Sequence, residues 1–190
     1  MSRRRRLYAV LLTGGLLSAA PWAATQALFA DTQAVDANAF TTGTVDISTN
    51  PTTALITFSA MAPGDMVTNP IVVSNAGTLA LRYSVSSTAT NTDSKGLKDE
   101  LDMTIKTVDL DGGCDDFDGT SLYTGDLDSS AGKILGDVAQ GAQTGDRTLA
   151  AAANETLCFR AELPTATGNG FQGATTTATF TFDAEQTANN

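Results

Sequence analysis

Short runs in which apolar and polar residues alternate one by one recur along the chain, and they dictate strands rather than helices. Val45 and Ile47 alternate with Thr44, Asp46 and Ser48, and Ile56 and Phe58 with Thr57 and Ser59. Leu79, Leu81, Tyr83 and Val85 share one face, opposite Ala80, Arg82 and Ser84. Leu101, Met103 and Ile105 repeat the pattern, as do Leu157, Phe159, Ala161 and Leu163, and then Phe180 and Phe182. A period of two puts one set of side chains in a core and the other in water. Ile71-Val72-Val73 is a continuous apolar run, as expected of a strand covered on both faces. The 30 threonines fit the same picture, because β-branched side chains sit well on a pleated, half-buried surface. No window of helical length has a clean 3.6-residue period. The nearest, Ser130 to Gln140, gathers Ile134, Leu135 and Val138 but is flanked by glycines.

Turn chemistry separates the runs. Pro63-Gly64-Asp65, Asn75-Ala76-Gly77 and Asp111-Gly112-Gly113 each combine a residue that bonds its own backbone or fixes φ with one that bends freely. Seven or eight short strands in a domain of this size predict an all-β, antiparallel two-sheet sandwich, jelly-roll-like, with an extended N-terminal arm. Ala89 to Lys98 is polar and reads as a loop. The region from about 109 to 153, rich in Asp, Gly, Ser and Ala, reads as an irregular insertion.

The N-terminus reads as an address. Arg3 to Arg6 precede a mostly apolar stretch from Leu7 to Ala24, and Ala23-Ala24-Thr25-Gln26-Ala27 supplies a small-residue exit. This is the layout of an export signal, residues 1–27, with cleavage between Ala27 and Leu28. Gly14, Gly15 and Pro21 weaken the competing reading as a retained anchor. Residues 28–48 then form the arm and first strand, and 49–190 the sandwich domain.

Composition removes several function classes. The formal net charge is −10, which repels phosphate and argues against a nucleic-acid partner. Histidine is absent, so a Ser-His-Asp triad, a Cys-His dyad and any His-ligated zinc are excluded. The two cysteines, Cys114 and Cys158, read in an exported chain as a disulfide closing a long loop.

One cluster could carry chemistry. Asp109, Asp111, Asp115, Asp116 and Asp118 interleave with Gly112, Gly113 and Gly119, and oxygen ligands on a glycine-permissive loop suit calcium. The spacing is not that of an EF-hand, and the competing reading is a solvated acidic loop. A carboxylate pair could also serve a glycosidase, but no aromatic-rich sugar platform accompanies it. No other cofactor is implied.

The junction Phe29-Ala-Asp-Thr-Gln-Ala-Val-Asp-Ala-Asn-Ala-Phe40-Thr-Thr-Gly43-Thr-Val-Asp-Ile47 resembles the start of mature proteins in the TasA/camelysin family, which are exported with a SipW-type signal peptide and a dedicated signal peptidase. Met61-Ala62-Pro63-Gly64-Asp65, Val73-Ser74-Asn75-Ala76-Gly77-Thr78-Leu79 and the ending Phe180-Thr-Phe182-Asp-Ala-Glu-Gln186 agree with it in the same order. The resemblance implies a jelly-roll-like domain secreted to the extracellular matrix or cell surface, where it assembles into biofilm fibres. It also implies that the mature N-terminal segment can pair as a strand with the next subunit. Some members carry a metallopeptidase label, which this histidine-free chain does not support.

Two non-enzymatic readings follow. In the first, the chain is a structural fibre subunit that polymerises head to tail with itself or with related subunits. Its arm would act by donor-strand exchange, with Phe29, Val35 and Phe40 filling pockets on the acceptor and Gly43 letting the chain bend where arm meets domain. In the second, it is a monomeric secreted adhesion module using calcium in the 109–119 loop. A camelysin-type metallopeptidase is the third.

Overall fold

The computed structural model describes residues 41–53, 56, 60–109, 111–128 and 132–188. The signal segment 1–27, the cleavage position Ala27–Leu28 and the arm residues Phe29, Val35 and Phe40 lie outside the described residues, as does Phe58.

Nine strands form two antiparallel sheets among the described residues: β1 (Ile47–Asn50), β2 (Met66–Asn75), β3 (Leu81–Ala89), β4 (Asp102–Thr107), β5 (Ser121–Asp126), β6 (Lys133–Leu135), β7 (Arg147–Leu149), β8 (Asn154–Glu162) and β9 (Ala178–Gln186). One sheet runs β1-β2-β8-β4-β5. The other is built around β3, which pairs along all nine residues with β9 and on its opposite edge with β7 and then β6. The fold is the all-β sandwich that the alternation predicts. Its centre is made of the predicted inward residues: Tyr83 and Phe159 are the largest fully buried side chains, packed with Leu81, Met103, Ile105, Leu157, Val73 and Val85. Each such side chain contributes roughly 1.5–3 kcal/mol by leaving water.

The turns are where their residues put them. Gly64 holds φ at +95°, and Asp65 closes the turn by donating its N–H to Ala62 O at 2.9 Å. Asn75, 1% exposed, donates its side-chain amide to Leu79 O at 2.8 Å and Ala150 O at 3.0 Å, while its carbonyl oxygen accepts from Gly77 N at 2.9 Å.

Four local readings change. The 109–153 region contributes β5 to one sheet and β6 and β7 to the other. These strands are three to six residues long, too short for alternation to stand out. Within it, Ile134 and Leu135 are buried on strand β6 rather than a helix, and Val138 is 67% exposed. Ile56 is in no strand and packs half-buried against the core. Leu79 sits just before β3, because its N–H is given to Thr44 O at 3.1 Å. The polar stretch after Ala89 ends in a single helical turn, α1 (Leu97–Glu100), entered from Gly96 in the left-handed region.

Candidate functional site

The acidic loop was the sequence's candidate cation site, and its geometry is that of a self-closed loop. Asp109 is 5% exposed and its carboxylate accepts three backbone N–H groups: Asp116 at 3.0 Å, Phe117 at 3.2 Å and Asp118 at 3.0 Å. Asp111 caps the adjacent turn, accepting from Gly113 N at 3.2 Å. Asp115, Asp116 and Asp118 are exposed. Among the described residues no group of three or more His, Cys, Asp or Glu gathers to hold a metal ion, and Asp109 turns its carboxylate to the loop's own backbone. The hydrogen bonds that shape the loop occupy both Asp109 oxygens and one of Asp111.

The same loop is fixed to the outer face of the five-stranded sheet. Cys114 and Cys158 are joined by a disulfide with Cα atoms 5.5 Å apart. Phe117, held at φ +52°, lies against Arg160, whose guanidinium carbon is 3.7 Å from the ring centre, and Lys106 at 4.6 Å. Lys106 also donates to Phe117 O at 2.7 Å. Cation–π stacking and a direct hydrogen bond secure a bulky residue in a conformation it rarely adopts. No spacing rule in the sequence would have found this arrangement.

The feature that offers chemistry of recognition is a strand edge. Among the described residues β9 pairs only with β3, which leaves its other edge without a strand partner among those residues. Its inward residues Phe180, Phe182 and Ala184 pack on the core yet stay half-buried. Phe180 meets Phe159 edge-on at 5.3 Å and Phe182 meets Tyr83 at 6.1 Å. Its register with β3 runs without a shift, unlike that between β4 and β5, and its sequence ATFTFDAEQ contains neither lysine nor proline. Long, straight edges without such guards invite another strand. The other sheet ends on β1, of four residues, and on β5, which pairs β4 with an irregular register.

The chain's exit toward the arm is pinned. Thr44 O accepts from Thr78 N at 3.0 Å and Leu79 N at 3.1 Å, Asp46 O accepts from Ala76 N at 2.8 Å, and β1 pairs with β2. Residues from Thr44 onward are therefore held by their own domain, so the 44–48 part of the 28–48 span is engaged in its own sandwich. Gly43 serves close approach rather than a bend: a Cβ there would lie 2.4 Å from Leu79 Cγ.

The sequence lacks histidine, both cysteines are in the disulfide, and no acidic cluster forms among the described residues. No described helix is long and apolar enough to cross a membrane.

No curated protein is significantly similar in sequence. Among solved structures, the chain has a likeness to the ASH / PapD-like domain of human CEP192 (PapD-like domain 7), at 15% identity and a TM-score of 0.29, covering 77% of this chain and 86% of that one. The model of one family, described as Camelysin metallo-endopeptidase, matches residues 4–190, and with nearly its whole length matched the chain belongs to the camelysin family.

Proposed function

We propose that the chain is a secreted structural subunit that assembles into extracellular fibres, the segment N-terminal to Gly43 of one copy adding as a strand to the β9 edge of the next. The observation that carries this reading is the edge of β9 that has no strand partner among the described residues, with a half-buried apolar face beneath it. An added strand gains main-chain hydrogen bonds along β9 and covers Phe180 and Phe182, while alternate side chains fix its register. Head-to-tail addition does not close on itself, so it propagates a filament. Cleavage between Ala27 and Leu28 would free the arm, coupling processing to assembly. Membership of the camelysin family fits a secreted structural role. The family's peptidase description finds no metal-donor cluster among the described residues, and a non-enzymatic role is the reading we adopt.

A competition experiment tests this. Protein beginning at Leu28 should form filaments visible by negative-stain microscopy, and an excess of a free peptide of residues 28–40 should shorten them by occupying the acceptor edge. Filament growth indifferent to the peptide would contradict the strand-addition reading.

A further inference from the structure

On the outer face of β3 and β9, the loop 136–146 borders an open cavity of about 170 Å³. Its own carboxylates and those beneath it staple the loop down. Asp146 accepts Asp137 N at 3.0 Å on one oxygen and Gln143 N at 2.7 Å on the other, and Glu185 accepts Gly141 N at 2.9 Å. The cavity is therefore held in shape by the fold.

The carboxylates around it are engaged by a cation or by backbone N–H groups with one exception. Asp137 pairs with Lys133. Glu185 pairs with Arg82 at 3.4 Å, and Arg82 also donates to Thr187 O at 2.9 Å. Asp146 has both oxygens engaged by backbone N–H groups. Asp183 has no ion pair or side-chain hydrogen bond with any described residue. Directly across the ladder from it stands Ser84, only 5% exposed. The Ser84 hydroxyl has no partner within the described protein, yet it is not sealed off, because the residue lines the cavity. A solvent-reachable hydroxyl beside a carboxylate with no ion pair offers two acceptors to a donor from outside. The exposed Val138 and its neighbour Ala139 add an apolar wall at the mouth.

We propose that this cavity binds a primary ammonium group on an alkyl stem, the head between the Asp183 carboxylate and the Ser84 hydroxyl and the stem along Val138. Three N–H donors on one cation match the two free acceptors and leave one for water. A stem with a charged head is the shape that apolar walls around a polar floor accept. The cavity has room for the head and stem of a lysine side chain or a short alkylamine. An anion would face Asp183, and a metal ion lacks a third ligand group among the described residues.

Ligand-observed NMR on the exported protein tests this with two probes, n-butylammonium for a free amine and Nα-acetyl-lysine N-methylamide for a protein side chain. Tetramethylammonium serves as the cation without N–H donors. Saturable binding of at least one primary ammonium, about tenfold or more tighter than tetramethylammonium, supports the proposal. Tighter binding of the lysine probe assigns the site to a lysine-bearing partner, and tighter binding of butylammonium assigns it to a free amine. D183N should weaken binding about tenfold or more, and S84A by a smaller factor. V138S, at an exposed position that cannot unfold the domain, should weaken butylammonium several-fold and leave methylammonium unchanged. No binding of either probe, equal binding of tetramethylammonium, or unchanged affinity in D183N would overturn it.

Discussion

The hydroxyl of Tyr83 on β3 donates a 2.7 Å hydrogen bond to Glu155 Oε1 on β8, joining the two sheets through a tyrosine that is 1% exposed. Arg147 on β7 pairs with the same carboxylate, so one acid is held from two strands. Burial, and next the negative charge of Glu155, raise the Tyr83 hydroxyl well above its ordinary value.

This has a pH consequence. The unfolded chain releases the tyrosine proton near pH 10 while the folded chain keeps it. The contribution is therefore fully present below pH 10 and declines as pH rises beyond it. Denaturant midpoints should fall above about pH 10, and the fall should be shallower in Tyr83→Phe. At neutral pH that variant should lose about 1 kcal/mol, one hydrogen bond with Glu155 still paired to Arg147.

The disulfide should matter for stability more than for the fold. Closing a loop across 44 positions is worth about 4 kcal/mol in the chain-entropy description. A Cys114→Ser/Cys158→Ser double variant should melt at a markedly lower temperature with an unchanged far-ultraviolet spectrum. Thiol labelling of the unfolded, unreduced protein should find no free thiol.

Asp109 should behave as a structural hub. Asp109→Ala strands three backbone N–H groups near Phe117 and should cost roughly 2–3 kcal/mol, read as a lowered denaturation midpoint. A chelator should leave the melting temperature of the parent protein where it was. A chelator-sensitive melting temperature would restore the calcium reading of this loop.

How far the sequence could be read depended on length and on what each signal reports. The long alternating runs, such as Leu81 to Val85 and Leu157 to Leu163, are core strands, because nine residues repeat a two-residue period often enough to be unambiguous. Three-residue strands such as β6 and β7 carry no period, and their pairing depends on β3 being present to receive them. The Asp109 cluster showed its acidity in sequence, but whether the oxygens face a cation or the backbone is decided by loop geometry that spacing does not encode. The open edge of β9 was likewise invisible: Phe180 and Phe182 mark the strand, and only the sheet order shows that one side of it has no strand partner among the described residues.

Phe180 sits where the inner face of the sandwich meets the open edge. Phe180→Ala removes its edge-on contact with Phe159 and should cost roughly 2–3 kcal/mol, less than a fully buried aromatic because the residue is already half-exposed. If the added strand covers this face, the same variant should slow filament growth under conditions where the monomer stays folded. Light scattering alongside circular dichroism separates the two effects.

The most direct test of strand addition compares two chains by negative-stain microscopy and sedimentation, one beginning at Leu28 and the other at Thr41. The cis contacts of Thr44 and β1 are intact in both. The account predicts filaments from the first and folded monomers with the same strand content from the second. Filaments from the chain beginning at Thr41 would contradict it, because the donor would then lie within the domain itself.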